Sequence, residues 1–233
     1  MSLENVSVIT QSAIRIVGPA GTVVWFDPFA LTDDEAAHDA DYVLITHAHY
    51  DHLSPKDFAR VAKPETAVVA PASMAVEAGE LGGADTYLMA AGEALEFSGI
   101  TVEAVPAYNV EPERLGMHPQ SNGWLGYVVT LDGDSTRYYV TGDTDQNPDN
   151  EHVSCDVMLL PIGGTYTCDP QQAAVFVGSV HPSTVVPTHY GCIVGTYADL
   201  DAFAAAVDPS ISVVPKLQRQ AGGSRRILPP LHR

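Results

Sequence analysis

Residues 42–52 read Tyr42-Val43-Leu44-Ile45-Thr46-His47-Ala48-His49-Tyr50-Asp51-His52. An apolar run of strand length stops abruptly in three imidazoles and a carboxylate, an arrangement that core packing does not ask for. Divalent metals of borderline softness, zinc above all, take imidazole nitrogen and carboxylate oxygen. While the chain stays extended, His47 and His49 point to one side and can chelate one ion. Asp51 and His52 follow where the chain turns and can reach a second position. The competing reading is a polar surface loop. It requires three of only nine histidines in 233 residues to fall together by chance.

Outward from the motif, Ser54-Pro55 supplies an N-cap and a first-turn proline, so a helix is expected over 55–62. Upstream, Ile14 and Ile16, the turn at 18–21 and the β-branched run 22–26 make a hairpin that ends at Asp27-Pro28. Residues 32–40 are expected as a short helix. Downstream, strands are expected at 67–70 and 86–89 with a helix from Ser73 between them, followed by a second hairpin over 93–97 and 101–105. Residues 109–123, broken by Pro112, Gly116 and Pro119, read as a long functional loop. Further strands fall at 125–131, 137–141, 157–161 and 184–187. Asp169-Pro170 caps a helix to about Val180, and a last helix is expected over 200–206. The hairpins forbid an all-parallel sheet, and two mixed sheets packed together with helices outside fit this order.

Two later segments repeat the pattern of a metal-ligand residue just after a buried strand. They are Tyr138-Tyr139-Val140-Thr141-Gly142-Asp143, and Val185-Val186-Pro187-Thr188-His189. Gly163-Gly164-Thr165-Tyr166 links the 157–161 strand to the Asp169-capped helix, whose N-terminus would favour an anionic substrate group. Tyr166 is a candidate proton donor to a developing oxyanion, with a packed tyrosine as the alternative.

With these residues in place, the chain resembles the metallo-β-lactamase superfamily of metal-dependent hydrolases, whose hallmark is H-x-H-x-D-H followed by a bridging Asp and a final His. His47-Ala48-His49-Tyr50-Asp51-His52-Leu53, Gly142-Asp143-Thr144, Leu160-Pro161-Ile162-Gly163 and His189 look like the branch of N-acyl phosphatidylethanolamine phospholipase D and the ascorbate-6-phosphate lactonases. The resemblance implies a four-layer αββα sandwich over residues 1–215, followed by a basic tail over 216–233. It implies two divalent ions, zinc first with manganese or iron as alternatives. His47 and His49 would hold the first, Asp51, His52 and His189 the second, and Asp143 would bridge them. The family's further histidine on the first ion matches Asn109, a weaker amide donor. His118, nine residues on, is a substitute ligand, a proton donor or a substrate contact, with a surface histidine as the alternative. His38, His152, His181 and His232 are expected at the surface.

The implied activity is hydrolysis by a metal-activated hydroxide, with Asp51 orienting the nucleophile. The substrate is expected to be a soluble, anionic small molecule with an ester-type or phosphodiester bond, or a sugar-like lactone. From another class, a metal-binding module of weak catalysis remains open. Lys and Arg number 11 against 29 Asp and Glu, a net charge of −18, which argues against a nucleic-acid partner. No basic amphipathic segment argues for stable membrane association, residues 1–7 lack a signal peptide's charged and apolar regions, and a cytoplasmic location is expected. Only three lysines and 18 Asp among the acids resemble proteins of salt-accumulating halophiles. Cys155, Cys168 and Cys192 match no disulfide or paired zinc-ligand spacing. A homo-oligomer is left open.

Overall fold

The computed structural model describes residues 3–219. Two mixed sheets face each other. The first runs in spatial order through β1 (Val6–Val8), β2 (Ile14–Val17), β3 (Val23–Phe26), β4 (Ala40–Leu44), β5 (Ala62–Pro71) and β6 (Asp85–Met89). The second contains β7 (Ala94–Phe97), β8 (Ile100–Pro106), β9 (Leu125–Leu131), β10 (Tyr138–Val140), β11 (Val157–Pro161), β12 (Thr184–Thr188) and β13 (Ser212–Val213), again in sequence order. Each half begins with antiparallel hairpins and ends in parallel strands, as β3 to β6 and β10 to β13 pair.

Strand periodicity sorts the side chains into layers. Along β3 and β4, Val24, Phe26 and Leu44 enter the core between the sheets, where they join Val102, Tyr127, Val129 and Tyr138. Their neighbours Trp25 and Val43 face the other way and pack with Phe58 and Val61 of α1 (Pro55–Val61) and Ala78 of α2 (Ala75–Glu80). On the far side, Ala173, Phe176 and Val177 of α3 (Pro170–Val180) and Leu200 and Phe203 of α4 (Tyr197–Ala206) belong to the main core. This is the αββα sandwich that the strand order implies. No helix among the described residues is long and apolar enough to cross a membrane.

Several local expectations are corrected. Residues 32–40 form only a 3-10 turn over Asp33–Glu35, because His38 adopts a left-handed φ of 46° and Ala40 already opens β4. The last helix starts one turn earlier, at Tyr197, where Thr196 and Asp199 make a capping box. The tail does not begin at 216. Leu217 bridges to Val8, Gln218 and Arg219 donate their backbone N–H groups to Val8 and Ile9, and Arg219 pairs with Glu35 at 3.0 Å. The rest of the expected tail, His232 included, lies outside the described residues.

Candidate metal centre

The parallel strands deliver their C-terminal ends to one edge of the sandwich, and the ligand-type residues gather there. The segment after β4 is fixed first. Thr46 donates its backbone N–H and hydroxyl to Asp27, at the end of β3, at 2.8 and 2.6 Å. The facing sheet closes over it: Leu125 N–H donates to Thr46 O at 3.1 Å, and Tyr127 Oη donates to Ile45 O at 2.8 Å. His52 N–H and Leu53 N–H both donate to His49 O, which curls the motif into α1.

Three groups of side chains converge within metal-ligating distance of one another: His47, His49 and His118; His47, His52 and Asp143; and Asp51, His52 and His189. Nε2 of His47 lies 3.1 Å from Nδ1 of His49. Asp143 joins the groups. Its Oδ2 is 3.4 Å from Nε2 of His118 and from Nε2 of His189, and its Oδ1 is 3.4 Å from Nε2 of His52. Nε2 of His52, Nε2 of His118 and Oδ1 of Asp143 are buried without a hydrogen-bond partner. Buried polar atoms normally find one, so a donor set of this chemistry fits divalent cations at its centre.

The charges agree. Burial, reinforced by the nearby charge of His52, holds His47 well below the usual imidazole range, and burial lowers His49 as well, so both present lone pairs. Burial also opposes a charge on His52, but Asp143 and Asp27 outweigh it and its proton is retained to about 10. Burial tends to raise Asp51, yet the His189 hydrogen bond and the His52 charge bring it down to about 2. Asp143 is likewise held well below the carboxylate range by His189 and His52 against its burial. A cation at the centre would take over the work of the His52 proton.

Sequence reasoning missed four residues here. Asp27, fully buried at φ 44°, accepts at 2.7 Å from Nδ1 of His52 and so orients that ring. Trp124 walls the first group, its ring 5.0 Å from His47, 4.9 Å from His49 and 5.8 Å from His118. Asp145 anchors the long loop by accepting from Val110 and Glu111 N–H and pairing with Arg114 at 2.7 Å. Gln11, in the turn between β1 and β2, reaches the second group. Asp27 and Asp145 carry the signal of an acid after a buried strand, the same signal that picked out Asp143. Outer partners of this kind are worth about 10–100-fold in metal affinity. Asp27→Asn is therefore expected to weaken the second ion by that range in competitive chelation, and unchanged affinity would exclude the orienting role.

The structure brings Asn109 to the site beside His118, with its Oδ1 buried and without a hydrogen-bond partner. Its Nδ2 donates to Arg114 O at 3.0 Å and to Tyr166 O at 2.8 Å, and lies 3.1 Å from Nδ1 of His118. The amide therefore braces His118, which is buried rather than at the surface. His38, His152 and His181 are exposed. Gly163 lets the chain pass close to the backbone of His189, since a Cβ there would lie 2.2 Å from His189 O. Asp169 caps the first turn of α3, accepting from Gln171 and Gln172 N–H.

Above the ligands opens a cleft of about 190 Å³ lined by His49, Tyr50, Asp51, Met117, His118, Asp143, Tyr166, His189 and Ile193. A larger concavity of about 840 Å³ at the opposite end of the strands, with Asp41, Glu65, Asp85 and Glu96 on its walls, contains none of the ligand residues.

Residues 5–189 match the family model described as the β-lactamase superfamily domain. A UPF0173 metal-dependent hydrolase of Anaeromyxobacter dehalogenans is 35% identical over 82% of this chain and 77% of its own length. One from Thermococcus onnurineus is 32% identical over 91% of this chain and 96% of its own. Among solved structures, a metal-dependent hydrolase from Parabacteroides distasonis superposes with a TM-score of 0.76 at 30% identity, covering 91% of this chain and 93% of that one.

Proposed function

The chain belongs to the β-lactamase superfamily and is a metal-dependent hydrolase, and from that footing we propose that it uses two divalent ions to cleave an ester-type or phosphodiester bond of a small molecule, a lactone being the alternative substrate. The observation that carries the two-ion reading is Asp143, whose Oδ2 lies 3.4 Å from Nε2 of both His118 and His189 and whose Oδ1 lies 3.4 Å from Nε2 of His52. His47, His49 and His118 would hold the first ion, Asp51, His52 and His189 the second, and Asp143 both. Zinc suits this nitrogen and oxygen set, with manganese or iron as alternatives.

Two such ions supply an acidified water for attack and positive charge for the developing oxyanion. Asp51 stays ionised down to about 2 and keeps an acceptor at the cleft floor to orient the attacking water. Tyr166, at the exposed rim, is placed to donate its phenolic proton to the substrate.

The substrate is taken to be small, with any negative charge it carries residing on the scissile group, as in a phosphodiester, because a further anionic substituent finds no side-chain partner in the cleft. No Lys or Arg lines the cleft, and the α3 N-terminus is occupied by Asp169. The ions' charge suits one developing negative oxygen rather than an additional anionic substituent. Tyr50, Met117 and Ile193 instead offer apolar surface to a small neutral group, and the cleft is below the roughly 300–1,000 Å³ of drug-sized sites. The acid-rich, lysine-poor composition supports a salt-rich cytoplasmic setting without a nucleic-acid partner.

The test is metal analysis followed by turnover of matched esters, lactones and phosphodiesters, with and without an additional carboxylate, after loading with zinc, manganese or iron. One well-packed apolar contact is worth about 10-fold or more in discrimination, so the member of each pair without the additional carboxylate is expected to lead by at least ~10-fold in kcat/KM. A lead for the carboxylate-bearing members would overturn the substrate class, and a single ion per chain would overturn the two-ion reading.

A further inference from the structure

Gln11 is a polar side chain with 0% exposure in a turn that has no packing need for an amide. Its backbone is held at φ 49°, a left-handed conformation that costs a non-glycine residue energy and tends to persist where the surroundings or function fix it. The same conformation recurs at Asp27 (φ 44°) and His189 (φ 58°), so three elements meeting at this edge share it. Gln11 grips His189 twice. Its carbonyl accepts from His189 N–H at 3.2 Å, and its side-chain Nε2 lies 2.6 Å from Nε2 of His189. The same Nε2 donates to Oδ2 of Asp51 at 2.9 Å, while Oε1 is buried with no donor.

This orientation conflicts with a cation bound between the two side chains. An N–H directed at Nε2 of His189 occupies the lone pair that a cation would need, and it presents a positive hydrogen toward the cation. The two ends of an amide are nearly isosteric, so a half-turn of the group exchanges nitrogen for oxygen at unchanged positions. Oxygen would then stand 2.9 Å from Oδ2 of Asp51 and 2.6 Å from Nε2 of His189. Donors to one divalent ion at about 2.1 Å lie roughly 3.0 Å apart at a right angle and roughly 3.4 Å apart at the tetrahedral angle, so outward shifts of a few tenths of an ångström would fit these atoms to a shared ion. The turn also removes Oε1 from a buried place where nothing donates to it.

We propose that Gln11 is a further ligand of the second ion, binding through Oε1 and joining Asp51, His52 and His189. The inference rests on the two-ion reading. It makes the β1–β2 turn part of the metal site and gives the second ion a neutral oxygen that leaves the charge of the centre unchanged.

Replacing Gln11 by Glu and by Leu separates a ligand from a structural amide. A glutamate keeps an oxygen donor but cannot donate to Asp51, and a leucine keeps bulk alone. The readout is the affinity of each zinc site by competitive chelation without substrate, together with the visible spectrum of the cobalt-loaded chain. Expected is a loss of at least about 10-fold at the second site in Gln11→Leu, with affinity equal to or above wild type in Gln11→Glu and the first site unchanged in both. An equal loss in both variants would mean that the amide N–H, not the oxygen, matters, and would overturn the ligand role. Wild-type affinities in both variants would overturn it too. A wild-type chain that takes up no second ion would remove this inference and the two-ion reading together, whereas two ions unaffected by either variant remove the inference alone.

Discussion

Asp143→Ala is expected to lower turnover by at least ~10³-fold and to release both ions on dialysis, while circular dichroism stays that of a folded chain. The carboxylate is almost wholly buried and stands 3.4 Å from ring nitrogens of His52, His118 and His189, so it reaches donors assigned to both ions. Its removal leaves the centre with five imidazoles and the carboxylates of Asp51 and Asp27, the latter committed to Thr46 and His52. Charge stabilisation by a metal pair is worth several kcal/mol, and about 4 kcal/mol corresponds to three decades in rate. The fold should survive because Asp143 holds up no packing element: its Oδ1 has no hydrogen-bond partner. Metal analysis settles the matter, since two fully occupied ions in this variant would exclude bridging. Asp143→Asn serves as the control of shape without charge.

The order of strands and the ligand motif could be read from sequence because both are local. A strand of apolar residues followed at once by His47 to His52 needs no tertiary information to suggest a metal, and hairpin turns announce a mixed sheet. What escaped was everything decided by chain segments meeting from afar. Gln11 is one glutamine in a turn, and only the approach of β12 gives it His189 to contact. Asp27 could be placed at a strand end, but its hold on His52 depends on the parallel pairing of β3 with β4. The short helix expected over 32–40 failed for a related reason: the chain must enter β4 at Ala40, and Glu35 is drawn to cap Thr32 and to pair with Arg219, almost two hundred residues away.

The same distinction decides between Asn109 and His118. The family resemblance assigns the first ion's third donor to the strand-end position of Asn109. The loop overrides it. Asp145 gathers Val110, Glu111 and Arg114, Asn109 N–H donates to His118 O at 2.8 Å, and the chain is folded back until the His118 ring lies 5.1 Å from that of His47 and 4.8 Å from that of His49. His118→Ala should therefore weaken the first ion by more than ~100-fold, since even residues that only orient a ligand cost about 10–100-fold. The second ion, with its own ligands, should change little. Asn109→His should fail to tighten the first ion and should loosen it instead, because an imidazole cannot donate to Arg114 O and Tyr166 O together and would crowd the ring it now braces. Separate affinities for the two ions, measured by competitive chelation, distinguish the assignments. A first site unaffected by His118→Ala but strengthened by Asn109→His would return the ligand position to the strand end and leave the loop histidine to proton transfer or substrate contact.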